Sequence, residues 1–161
     1  MHNPTLEKTG KSPGDISADC AFQAVEAGDF KNKLFQYLDN FEGEFSTRPR
    51  QMIRAHSDPE PGTIVQTAAP QLEAGRISWL CLANCQKSYT EKELKSQLEM
   101  GFSFLEEKKY NVILMLAPEN LKSYPEIDNP LKFMEEFLTN FSTSIISRVK
   151  IFSPPGDPTS R

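Results

Sequence analysis

Two largely apolar runs, "RISWLCLA" at 76–83 and "YNVILMLA" at 110–117, constrain this chain more than any other feature. Each has the length of a strand and falls well short of the roughly 20 residues that a membrane-spanning helix needs. Apolar side chains on successive residues, rather than on alternate ones, imply strands buried on both faces. Between them Thr90 and Glu93 form a T-x-x-E capping box, followed by an apolar stripe of Leu94, Leu98, Phe102 and Leu105. Pro118 ends the second strand. Asn129 caps the next helix, with Pro130 at its first position, where a missing N–H costs nothing. Met134, Phe137, Leu138, Phe141 and Ile145 supply that helix's apolar face, and a third strand spans about Ser147 to Phe152.

The order β-α-β-α-β predicts an α/β fold, a small three-layer unit with a mainly parallel sheet over about residues 76–152. Its crossovers should be right-handed. Three strands are few for such a sheet. An edge strand from "TIVQT", helices from the N-terminal region or a partner chain would complete it.

The N-terminal half reads differently. Residues 1–16 are polar and Pro/Gly-punctuated, which predicts a disordered tail. Over 17–45, Phe22 and Val25 fit a short helix, Gly28 a left-handed C-cap, and Asp29 the start of a second helix. Phe30, Leu34, Tyr37, Leu38 and Phe41 carry that second helix's apolar rhythm, so the segment reads as a helical hairpin. The pattern A-x-x-A-G-D-F at 24–30 resembles one tetratricopeptide-like unit, although no second copy stands at the roughly 34-residue period such repeats need. Residues 46–75 are broken by Pro49, Pro59, Pro61 and Pro70 and read as a Pro-broken linker or long loop. The core domain is then 76–153, and "PPGDPTSR" at 154–161 is a second disordered tail.

Charge narrows the function. Residues 1–75 hold 7 Lys+Arg against 11 Asp+Glu, and residues 76–161 hold 11 against 11, which together give the net charge of −4. That balance disfavours nucleic acid as a partner, which needs clustered positive charge. The opening residues contain no apolar signal core, and three cysteines do not make a disulfide framework, so a reducing, cytoplasmic setting is expected.

Catalytic fingerprints are weak. Cys81 and Cys85 in one strand would lie about 13 Å apart, beyond the roughly 4.4–6.8 Å that a disulfide spans. Cys81 reads as a buried apolar residue. Cys85, placed before a helix N-terminus, is the thiol with reactive character. Zinc needs four ligands, and three Cys and two His scattered at 2, 20, 56, 81 and 85 do not supply them, so no metal and no cofactor is expected. Neither strand is followed by glycine, which removes the common phosphate-loop fingerprints. The candidate binding edge lies where the two strands end and comprises Asn84, Cys85, Lys87 and Tyr89 after the first, and Glu119, Asn120 and Tyr124 after the second. Arg54, Ser57 and Pro59 form R-x-x-S-x-P, a pattern of the kind read by phosphoserine-binding adaptors, which marks Ser57 as a candidate modification site.

These features lead to the expectation of a non-catalytic, regulatory or adaptor module that works through protein–protein contacts. Its partner would be another protein, with self-association also open, and it would contact no membrane. The alternative is a small enzyme at the carboxyl edge of the sheet, using Cys85 as a thiol or transferring a group on an anionic substrate.

Overall fold

A computed structural model describes residues 1–39, 59–69, 72–82, 89–118 and 121–152, with side chains as far as Leu34 in the first of these segments. Six strands form one sheet: β1 (Thr5–Thr9), β2 (Cys20–Glu26), β3 (Thr63–Ala69), β4 (Gly75–Leu82), β5 (Val112–Leu116) and β6 (Arg148–Phe152). Among the described residues three α-helices accompany it: α1 (Phe30–Asp39), α2 (Glu91–Glu107) and α3 (Pro130–Thr139). Across the sheet the order is β1-β6-β5-β2-β4-β3. Every pairing is parallel except β3 with β4, which are joined by a tight return at Gly75 (φ 75°). The expected α/β class with a mainly parallel sheet therefore stands, on six strands rather than three.

The largest difference lies at 20–26. The expected first helix of a hairpin is instead β2, a central strand between β5 and β4. All but one of its seven residues are buried, so no alternation was there to betray a strand. The three-residue spacing of Phe22 and Val25 imitated a helix. Gly28 closes no helix but sits in a 3-10 turn (Ala27–Asp29), after which α1 starts at Phe30 as expected. The N-terminal tail is also partly structured, because Thr5–Thr9 pairs in parallel with β6. Within the linker, "TIVQT" forms the expected edge strand, and residues 46–58 lie outside the described segments.

The central strands β2, β4 and β5 divide their side chains between two cores. Cys20, Phe22, Leu80, Leu82, Ile113, Met115, Val149 and Ile151 meet α2 and α3 on one face. Ala21, Val25, Ile77, Trp79, Cys81 and Leu114 meet Ile16, Phe30 and Leu34 on the other. Trp79 is edge-on to Phe30 (5.6 Å between centroids), and its indole N–H donates to Thr67 Oγ1 at 2.9 Å. Burying an aromatic or aliphatic side chain of this kind stabilises the fold by about 1.5–3 kcal/mol. Gly101 lets α2 lie close to the sheet: a Cβ there would stand 3.2 Å from both Leu80 Cδ2 and Phe22 Cε2.

The caps read from sequence are present. Thr90 and Glu93 form the reciprocal capping box of α2, and Asn129 Oδ1 accepts from the Lys132 N–H ahead of α3. α3 ends at Thr139, six residues before the last position of its expected apolar stripe, Ile145. The Asn3 side-chain amide donates to the carbonyls of Thr139 (2.7 Å) and Phe141 (3.0 Å), which satisfies acceptors that a longer helix would have used.

Candidate functional site

Chain topology marks one crevice. The connection from β1 to β2 and the chain leaving β2 through α1 lie on the face of Ile16 and α1, and each leads toward the β3 edge. The connections leading from β4 to β5 and from β5 to β6 move the other way and cross the face of α2 and α3. Opposite directions on opposite faces are what right-handed crossovers require. The neighbours β2 and β5 thus send their chains to opposite sides as they leave the carboxyl edge. Open α/β sheets bind ligands in the crevice that such a reversal creates.

One strand end and two connections meet there through the backbone of a single residue. The Ser123 N–H, in the connection after β5, donates to Glu26 Oε1 at the end of β2 (2.6 Å). The Ser123 carbonyl accepts from the N–H of Tyr89, in the connection after β4 (2.8 Å). Glu26 is only 6% exposed, and its bond to an N–H is of the stronger, charge-assisted kind. Deeper in the crevice, Gln23 Nε2 donates to the carbonyl of Ala117, just past β5 (3.1 Å).

Gln23, Glu26, Asp29, Lys33 and Leu121 line a cavity of about 10 Å³, the space of a single water. Partial burial lowers the pKa of the Lys33 amine, and the nearby Asp29 carboxylate opposes that shift. The crevice therefore combines a fixed carboxylate, a side-chain amide and an amine whose pKa partial burial lowers.

Of the residues expected from sequence, the structure brings Tyr89 and Tyr124 together. Their rings stack at 5.3 Å and 29°. Tyr124 is fully buried; its phenol oxygen accepts from Gln97 Nε2 (2.6 Å), and burial pushes its pKa up to about 12. Asn84, Cys85, Lys87, Glu119, Asn120 and Ser57 lie outside the described residues. Cys81 is buried, and desolvation raises its thiol to about 12. Among the described residues no group of three His, Cys, Asp or Glu side chains is placed to hold a metal ion, and no helix is long and apolar enough to cross a membrane.

Sequence reading missed Gln23, Glu26, Asp29, Lys33 and Ser123. The first four were hidden by the helical reading of 17–45. A usable signal existed in "CAFQAVEAGDF", a buried strand-length run followed by small residues and then an amphipathic helix.

No protein-family model matches the chain, and no curated protein matches it in sequence. Solved structures do match in shape. The macrodomain of Thermus aquaticus DarG superposes with a TM-score of 0.56 at 13% identity, covering 94% of this chain and 99% of that one. The Trypanosoma brucei macrodomain in complex with ADP gives a TM-score of 0.62 at 11% identity over 95% of this chain, which spans 65% of that protein. A tomato leucine aminopeptidase mutant gives 0.61 at 14% identity over 99% of this chain, which spans only 35% of the enzyme. The chain has a macrodomain-like α/β fold. These likenesses correct the expectation of a non-catalytic adaptor acting through protein–protein contacts: the architecture is shared with ligand-binding and enzymatic modules.

Proposed function

We propose that this chain is a ligand-binding module for a nucleoside diphosphate of the ADP class, seated at the carboxyl edge of the sheet between β2 and β5. One observation carries the reading: the backbone of Ser123 ties the end of β2 to the connections that follow β4 and β5, where the chain reverses direction. Such a crevice is preformed, which spares a ligand much of the cost of ordering its site. The bound ADP of the Trypanosoma brucei macrodomain supports the choice of ligand class.

Roles follow from chemistry. Glu26 and Gln23 suit the hydroxyl and amine donors of a ribose or adenine. Lys33 and the N–H groups opening α1 suit the diphosphate, because a helix N-terminus presents unpaired donors to an anion. The cavity beneath holds only a water, so the ligand rests at its mouth and the cavity forms the floor.

Isothermal titration with ADP, ADP-ribose, AMP and inorganic pyrophosphate tests this. ADP and ADP-ribose should bind saturably, and Lys33→Ala should weaken them about tenfold, or about 1.4 kcal/mol. No saturable heat with any of the four up to millimolar concentration would sink the reading.

A further inference from the structure

Away from the carboxyl-edge crevice, a long trough separates the outward sides of α2 and α3. Its main part has a volume of about 620 Å³ and is floored by Phe133, Phe137 and Phe141, with the last two rings stacked at 5.5 Å. At Phe133 and Glu136 it runs into a second hollow of about 270 Å³, beside the start of both helices. Carboxylates dominate its rims: Glu91, Glu99, Glu106, Glu126, Asp128 and Glu136 stand against only Lys95 and Lys132.

Two further facts sharpen this imbalance. Among the described residues the salt bridges join Lys8 to Glu135 and Arg148 to Glu7, and neither neutralises the trough. Nor do its carboxylates converge as a metal site would. The negative charge is strung along the groove, so it complements an extended row of cations rather than a point ion. The aromatic floor asks for apolar side chains on the same molecule.

We propose that this trough docks a basic, amphipathic segment of a partner polypeptide, with apolar residues on the Phe133–Phe137–Phe141 floor and Lys or Arg against the acidic rims. Anionic partners such as nucleic acid or an acidic membrane surface are repelled by the same rims. The proposal is independent of the ligand crevice, which lies on other residues.

The test uses the full chain, isotope-labelled, and a synthetic helical peptide of about four turns with leucines on one face and lysines on the other. Saturable amide shifts should centre on Glu99, Ser103, Glu136 and Asn140. The double variant Glu99→Lys/Glu136→Lys, changed only at exposed positions, should weaken binding at least tenfold, and the isosteric Glu99→Gln/Glu136→Gln should fall between it and the native chain. A scrambled peptide of equal charge without an apolar face should bind far more weakly. Equal binding of the scrambled peptide, or shifts centred elsewhere, would overturn the proposal. Self-association in sedimentation that the double reversal abolishes would also overturn it, by assigning the trough to a second copy of the chain.

Discussion

Glu26 Oε1 and the backbone N–H of Ser123 meet at 2.6 Å although 97 positions separate them in sequence. The bond fastens the connection after β5 to the end of β2, and the orientation of the crevice depends on it. Glu26→Ala should therefore lower stability by about 1.5–3 kcal/mol, the usual worth of a hydrogen bond to a charged group. Glu26→Gln keeps an acceptor and should lose about half as much. Urea unfolding of both variants measures the difference, and equal losses would show that the negative charge contributes nothing.

Gly101 sets how closely α2 approaches the sheet. A β-branched side chain there would be driven into Leu80 and Phe22, both fully buried. Gly101→Val should destabilise the protein by about 1–3 kcal/mol through overpacking, despite removing a glycine from a helix. A thermal melt unchanged by this substitution would mean that the helix can ride outward at no cost.

High pH should weaken the fold. Cys81 and Tyr124 both have pKa values raised to about 12 by burial, from ordinary values of 9.0 and 10.0. Groups whose folded pKa is raised stay protonated in the native state while the unfolded chain loses the proton. Their contribution is fully present below pH 9 and is lost as pH climbs from about 9 to 12. Cys81 should subtract about 1.4 kcal/mol per pH unit above its ordinary value of 9.0, and Tyr124 as much above its own of 10.0. Chemical denaturation at a series of pH values from 7 to 11 checks this, and a flat profile above pH 9 would contradict the burial of both groups.

The buried thiols should also be slow to react. Cys20 and Cys81 are both fully enclosed, and desolvation raises both pKa values. A maleimide reagent at pH 7.5 should leave both unmodified in the native protein and label both in 6 M urea, as read by peptide mass spectrometry. Native labelling of Cys81 at the unfolded rate would deny it a place in the core.

How much of this was legible depends on where each signal resides. The T-x-x-E box at Thr90 and the Asn129-Pro130 start act within one helical turn, so sequence reveals them directly. The strands of 76–82 and 112–116 were visible because their apolar length matches a strand and their flanks punctuate them. β2 escaped because a strand buried on both sides has no period, and seven residues cannot exclude a helix. β1 escaped because "TLEKT" is polar at an edge, where only its partner β6 defines it as a strand. The Glu26–Ser123 bond is a product of sheet order, and no local pattern encodes it.

The pairing of β1 with β6 has a bearing on how this protein comes into being. Thr5 lies opposite Arg148 and Thr9 opposite Phe152, and among the described residues β1 is paired with no other strand. During synthesis β1 is made well ahead of its template, since Arg148 follows Thr5 by 143 positions. β1 must wait for β6. Folding of this sheet therefore cannot simply follow the order of synthesis; it closes by joining β1 to β6, the kind of distant contact that slows a chain's search for its native state.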